Sequence, residues 1–147
     1  MQKTQKVFFK RFDKELPIPS QATAGAAGID LYARETVTIN PQEVALVPLN
    51  VGFKLPQGHW VLLAARSSLH KQGVLLANGI GVGDEDYCGD NDEYKAALLN
   101  YRSEPVTITR GERIVQMILM SKVLVELEEV EKLGSKDRGG FGTTGKK

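Results

Sequence analysis

The stretch Ala96-Ala-Leu-Leu-Asn-Tyr-Arg-Ser-Glu-Pro105-Val-Thr-Ile-Thr-Arg110-Gly-Glu-Arg-Ile-Val-Gln116-Met-Ile-Leu119 holds three short apolar runs. These are Ala96 to Leu99, Val106 with Ile108, and Ile114 to Leu119, separated by the turn formers Glu104-Pro105 and Arg110-Gly111. Runs this short, cut by turn residues at close spacing, predict strands rather than helices. The same rhythm continues outward through Val7 to Phe9, Val37 with Ile39, Val44 to Val47, Trp60 to Ala64 and Val123 to Val125. Asn40-Pro41, Pro56-Gln57-Gly58, Gly73 and Gly89 punctuate it. The chain therefore reads as all-β, a sandwich or barrel. A single helical turn is expected at Ser67-Ser68-Leu69-His70-Lys71, with serines as caps. Residues 126–133 have a helical composition but continue a Val-rich run, so they are expected to alternate as the end of that strand.

At 147 residues, 41% of them hydrophobic, the chain suits one domain able to bury on the order of two-thirds of its unfolded surface. Nineteen basic and eighteen acidic residues leave a net charge of +1, which argues against a duplex-DNA or membrane-surface partner and for a small ligand. The lone Cys88 excludes an intrachain disulfide, and Met1 to Lys6 lack a long apolar stretch, so a reducing cytoplasm is the expected compartment. From Gly134 onward the sequence turns glycine-rich and polar. We expect a β domain over residues 1–134 and a flexible arm over residues 135–147.

Six carboxylates surround one tyrosine in Asp84-Glu-Asp-Tyr87-Cys-Gly-Asp-Asn-Asp-Glu93, directly after Asn78-Gly-Ile-Gly-Val-Gly83. An EF-hand reading fails, because Cys88 and Lys95 fall where oxygen ligands are needed. Asp90 to Glu93 read equally well as a solvated hairpin tip. The glycine run is not a dinucleotide fingerprint, since its third glycine comes one residue early. It offers either close backbone approach for a planar polar ligand, with the Asn78 amide beside it, or merely a bulged strand.

Arg66-Ser67-Ser68 follows an apolar strand and suits phosphate, although capping alone would explain the serines. The tail segment Gly140 to Lys147 approaches the P-loop pattern but fails at its last position. A mobile Gly/Thr segment with Arg138 and Phe141 could still close over an anionic ligand and stack on a base, or have no role. His59, His70 and Cys88 have neither zinc-ligand spacing nor the arrangement of a Cys/His pair.

Taken in order, five segments resemble the five motifs of the trimeric deoxyuridine triphosphatase (dUTPase) family. They are Ala24-Gly-Ala-Ala-Gly28-Ile-Asp30-Leu-Tyr-Ala33, Ala65-Arg-Ser-Ser-Leu69, Asn78 to Gly89, Arg110-Gly-Glu-Arg-Ile-Val-Gln116-Met-Ile118 and Arg138-Gly-Gly-Phe141-Gly-Thr-Thr-Gly145. Any one is weak; five in order over residues 24–145 are specific. The resemblance implies a jelly-roll-like β-barrel or sandwich assembled as a homotrimer, with sites at subunit interfaces and a C-terminal arm closing over them. It implies hydrolysis of dUTP to dUMP and pyrophosphate with Mg²⁺ on the triphosphate, which keeps uracil out of DNA and supplies dUMP for dTTP synthesis. No nucleic acid or membrane partner is implied.

On the same resemblance, Asp84 would activate the attacking water and Tyr87 would pack under the deoxyribose, excluding a 2′-hydroxyl. Asn78 and the backbone at Val82 and Gly83 would read the uracil edge. Arg66, Ser67, Ser68 and Gln116 would hold phosphates, Lys95 would line the pocket, and Asp30 would support the metal's waters without ligating the metal. Phe141, with Gly142 beside it, would stack on uracil, and Arg138 or Lys136 would meet the terminal phosphates.

Two features depart from the family pattern. Gly83 stands where a branched aliphatic is usual, which is expected to loosen the backbone before Asp84 and weaken binding. Asp90-Asn91-Asp92 looks like an insertion at the hairpin tip. A dCTP deaminase of the same fold superfamily and a non-catalytic dUTP-binding regulator are the rival readings. The Asp84-x-Asp86-Tyr87 pattern favours the phosphatase over the deaminase, and a complete Asp84, Tyr87 and Gln116 set argues against the regulator.

Overall fold

Alternation of apolar and polar side chains, cut by turns, leaves this sequence few ways to bury itself other than by stacking antiparallel strands. The computed structural model describes residues 3–143 and 145. It contains eleven strands: β1 Phe8–Arg11, β2 Ile29–Tyr32, β3 Val37–Ile39, β4 Val44–Pro48, β5 Val51–Lys54, β6 His59–Ala65, β7 Val74–Leu76, β8 Gly81–Gly83, β9 Lys95–Asn100, β10 Val106–Ile108 and β11 Arg113–Ser121. All ladders are antiparallel, and the sheets run β2-β11-β6-β8, β4-β9-β7, β1-β5 and β10-β3. The all-β, jelly-roll-like expectation holds. Among the described residues no helix is long and apolar enough to cross a membrane.

The opening stretch behaves as its pattern predicts. In β9, Ala96, Leu98 and Asn100 turn inward while Lys95 stays exposed, a period of two. In β11 that period breaks, because Ile114 and Val115 are both buried. A register shift between Arg113 and Val115 against β2 explains the pair, since a bulge lets consecutive side chains face one core. Leu31, Ile39, Leu49, Leu98, Ile108 and Ile114 meet in that core.

Two local expectations need correction. The helical turn exists as one turn of 3-10 helix, Leu69–Gln72, but the Ser68 side chain makes no capping hydrogen bond. A single turn is too short to act through its dipole, so any phosphate binding there falls to the Arg66, Ser67 and Ser68 side chains. Residues 123–133 do not continue β11 as a strand. Strand β11 ends at Ser121 opposite His59, the first residue of β6, so the ladder with that partner stops there. Leu124, Leu127 and Leu133 are consequently 88%, 91% and 92% exposed.

The acidic tip is not merely a solvated turn. Gly89 N donates to Asp92 Oδ2 at 2.8 Å, closing the turn, and Lys10 Nζ donates to the Asp90 carbonyl at 2.7 Å. Glu93 is buried, gripped by Arg34 through Nε to Oε2 and Nη2 to Oε1, both at 2.8 Å, and it accepts from Asn50 N at 3.1 Å. The tip thus belongs to a loop that β1 and the Arg34 guanidinium clip to the body.

Candidate active site

The Asn78 to Lys95 hairpin opens because its two arms join different sheets. Strand β8 pairs only with β6, while β9 lies between β4 and β7. The outer edge of β8 therefore has no ladder partner among the described residues, and its main-chain donors and acceptors remain free to meet a ligand. A cleft of about 240 Å³ fills the gap, lined by Asn78, Val82, Gly83, Tyr87 and Lys95 together with Tyr94. Five residues singled out from the sequence converge there.

Tyr87 is anchored at its far end, where its hydroxyl donates to the Glu93 carbonyl at 2.9 Å. Burial, then the charges of Asp92 and Glu93, push its phenol pKa up. With the oxygen engaged, the half-exposed ring offers its face for apolar packing. Asp84 follows Gly83 at the end of β8 and is exposed. It faces a second cleft shared with Trp60, Glu85, Asp86 and Lys122. Glu85 belongs to the scaffold: the Gly58 N–H, then Lys122, hold its carboxyl below the usual range, at 3.0 and 3.1 Å.

The phosphate candidates form a separate cluster. Asp30, buried in β2, forms an ion pair with Arg66 Nε at 3.3 Å and accepts from Arg113 Nη1 at 3.2 Å. Arg66 also donates through Nη1 to the Arg113 carbonyl at 3.2 Å. On β11, Gln116 lies opposite Asp30 on one side and Ala64 on the other, and its Nε2 donates to the Ala65 carbonyl at 3.2 Å. A β-carbon on Gly28 would overlap Gln116 Oε1, so a larger residue there would have to displace the Gln116 amide. Each Asp30 oxygen faces a guanidinium, so the carboxylate holds Arg66 and Arg113 side by side.

These two clusters lie at opposite ends of β6. Gly83 pairs with Val61 and Gly81 with Leu63, which puts Asp84 beside Trp60, whereas Arg66 follows the far end of the strand. Six residues of extended chain separate them by roughly 20 Å. One chain does not bring its own Asp84 to its own Arg66. Nor does it bring the tail: Phe141 is fully exposed, and neither Arg138 nor Gly142 lines the cleft. The near-P-loop ending at Lys146-Lys147 lies outside the described residues.

Gly83 is closely packed. It is buried, and a β-carbon there would overlap the Tyr94 hydroxyl and lie 2.7 Å from Tyr94 Cε2. Tyr94 was not legible as a cleft residue because an aromatic just before an apolar strand reads as core. Arg113 was also missed, since an exposed arginine on a strand carries no signal until its carboxylate partner is known. Among the described residues no group of three or more His, Cys, Asp or Glu side chains could hold a metal ion.

A family model described as dUTPase matches residues 14–145 of this chain. The deoxyuridine 5′-triphosphate nucleotidohydrolase of Caldanaerobacter subterraneus subsp. tengcongensis is 42% identical over 137 residues, covering 90% of each chain. The dUTPase of Streptococcus mutans has the same fold, with a TM-score of 0.73 and 32% identity over 80% of this chain and 98% of its own. A Staphylococcus bacteriophage 80alpha dUTPase solved with dUPNHPP gives a TM-score of 0.83 over 97% of this chain and 99% of its own; at 24% identity it is a likeness of fold.

Proposed function

The chain belongs to the dUTPase family, and from that premise we propose that it hydrolyses dUTP to dUMP and pyrophosphate, with Asp84 as the base. The observation that carries this reading is the hairpin cleft, where a free strand edge, the Asn78 amide and the anchored Tyr87 ring surround a space beside an exposed carboxylate. Uracil would meet Asn78 and the main chain of Val82 and Gly83, where an added 5-methyl group has no room. The deoxyribose would lie on Tyr87, with Lys95 at the side. Asp84 takes a proton from water as the water oxygen bonds to the α-phosphorus. The bond from that phosphorus to the α,β-bridging oxygen breaks, and pyrophosphate leaves with the electron pair.

Arg66, Ser67, Ser68 and Gln116 would hold the phosphates. Mg²⁺ bound to the phosphate oxygens and water would draw charge from the triphosphate, and such binding needs no protein cage. Phe141 and Gly142 would cover the base, and Arg138 would reach the outer phosphates, once the arm closes. The separation of Asp84 from Arg66 along β6 supports assembly of each site from different copies of the chain, as a homotrimer. So does the exposed apolar segment through Leu124, Leu127 and Leu133, which a neighbouring copy would cover.

Pyrophosphate release from dUTP, with little from dTTP, dCTP or UTP, is the expected result. Ammonia from dCTP, or tight dUTP binding without turnover, would replace this reading with a deaminase or a regulator. The shared site has its own test. Asp84→Asn and Arg66→Ala chains, each inactive alone, should recover roughly a quarter of wild-type turnover when refolded together in equal amounts, because one site in four then draws both intact groups from different copies. A mixture no more active than its components would show that the two groups serve one site within one chain. Removing residues 135–147 should cut turnover without lowering the melting temperature; a large loss of stability would contradict a closing arm.

A further inference from the structure

We infer that Tyr94 is a positioning residue that fixes the plane of the Tyr87 ring and thereby sets the discrimination of dUTP against UTP. This rests on the proposed role of Tyr87 under the deoxyribose. The Tyr87 hydroxyl donates to the Glu93 carbonyl at 2.9 Å. That bond places the far end of the side chain but leaves the ring plane open. The phenol oxygen lies on the axis about which the ring turns at χ2, a torsion with only broad preferences of its own. The plane therefore needs a contact on the ring itself. Among the described residues the aromatic partner of Tyr87 is Tyr94, tilted at 57° with 5.6 Å between ring centroids.

Tyr94 is a firm backing. It is only 5% exposed, and its ring meets Phe53 edge-on at 5.0 Å between centroids. Its main chain is held on both sides, donating from N to the Val51 carbonyl at 2.8 Å and accepting from Leu49 N at 2.9 Å. The phenol tip lies over Gly83, in space that a β-carbon on residue 83 would enter. Its hydroxyl has no hydrogen-bond partner among the described residues, so the contact with Tyr87 is carried by the ring and not by the oxygen. Both rings line the hairpin cleft, and a turn of Tyr87 changes the space proposed for the sugar. A ribose differs from a deoxyribose by one oxygen, so a small turn is enough to admit it. Consecutive residues thus divide the work: Glu93 holds the oxygen of Tyr87, and Tyr94 holds its plane.

The test measures kcat/KM for dUTP and for UTP, with thermal melting, in wild type, Tyr94→Phe, Tyr94→Leu, Tyr87→Leu and the double variant Tyr87→Leu/Tyr94→Leu. Tyr94→Phe keeps the ring and should keep wild-type discrimination, with melting unchanged or raised because an unpartnered buried hydroxyl is gone. Tyr94→Leu should lower the dUTP-to-UTP ratio of kcat/KM about three- to tenfold, the strength of an aromatic pair expressed as selectivity. In the Tyr87→Leu background, itself a poor discriminator, the same change should leave the ratio within about twofold, because its effect passes through the ring already removed. A role in the core alone would lower melting and both kcat/KM values together while the ratio stayed at wild type. That outcome would overturn the assignment, as would an undiminished further drop in the Tyr87→Leu background. If Tyr94→Leu does not fold, Tyr94→Met, a flexible gap-filler, takes its place with the same expectation. Wild-type discrimination in Tyr87→Leu would overturn the role of Tyr87 and this assignment with it. Inactive wild type would instead overturn the proposed function, and this assignment with that.

Discussion

Asp84→Asn is expected to lower kcat for dUTP by about 10²–10⁴-fold, the usual contribution of a positioned general base. The amide has nearly the size of the carboxylate, so it can still orient a water, but it cannot take the proton as the bond to phosphorus forms. Nucleotide binding should survive, because the cleft is built from the β8 edge, Asn78 and Tyr87 rather than from Asp84. Neighbouring acids offer little rescue. Glu85 is held by Gly58 N and Lys122, and Asp86→Asn, in the same outer cleft, is the control that should leave kcat within a few-fold. The measurement pairs pyrophosphate release with calorimetric binding of a non-hydrolysable dUTP analogue. Turnover above about a tenth of wild type would sink the assignment of Asp84 as base.

Arg34→Ala should destabilise the protein by about 3 kcal/mol or more, because it strands Glu93 as a buried carboxylate with the Asn50 N–H as its remaining partner. Arg34 meets Glu93 through two parallel hydrogen bonds, a geometry lysine cannot reproduce, so Arg34→Lys should recover only part of the loss. Replacing both partners, as in Arg34→Met with Glu93→Leu, should be far milder than Arg34→Ala, since no charge is left buried. The effect should reach function as well. Because the Glu93 carbonyl anchors the Tyr87 hydroxyl, a loosened Glu93 frees the ring proposed to exclude a 2′-hydroxyl, and discrimination of dUTP against UTP should fall. Denaturant unfolding of the four proteins, with UTP turnover alongside, decides this; an Arg34→Ala protein as stable as wild type would show that Glu93 does not rely on the pair.

Much of this molecule is local in origin and so legible in the chain. The runs from Ala96 to Leu119 became β9, β10 and β11, because alternation of burial and the position of turns are properties of neighbouring residues. Asn78, Val82, Gly83, Tyr87 and Lys95 meet in one cleft because one hairpin carries them all. What could not be read depends on partners distant in sequence. Residues 126–133 continue a Val-rich run, yet the ladder of β11 with β6 stops at Ser121 opposite His59, and among the described residues the segment beyond forms no strand. Glu93 looks like one more acid in a solvated tip until Arg34, 59 residues away, is folded against it.

Composition, periodicity and five ordered motifs therefore determined the strand architecture, the family and the set of residues to test. Tertiary structure decided how they divide: the hairpin cleft proposed for base and sugar at one end of β6, an arginine cluster paired with Asp30 at the other, and a Tyr94 hydroxyl packed where a side chain on residue 83 would go. The reason is range. Backbone preference and alternation act over a few residues, whereas ion pairing, close packing and the pairing of strand edges act through space between segments whose approach only the folded chain establishes.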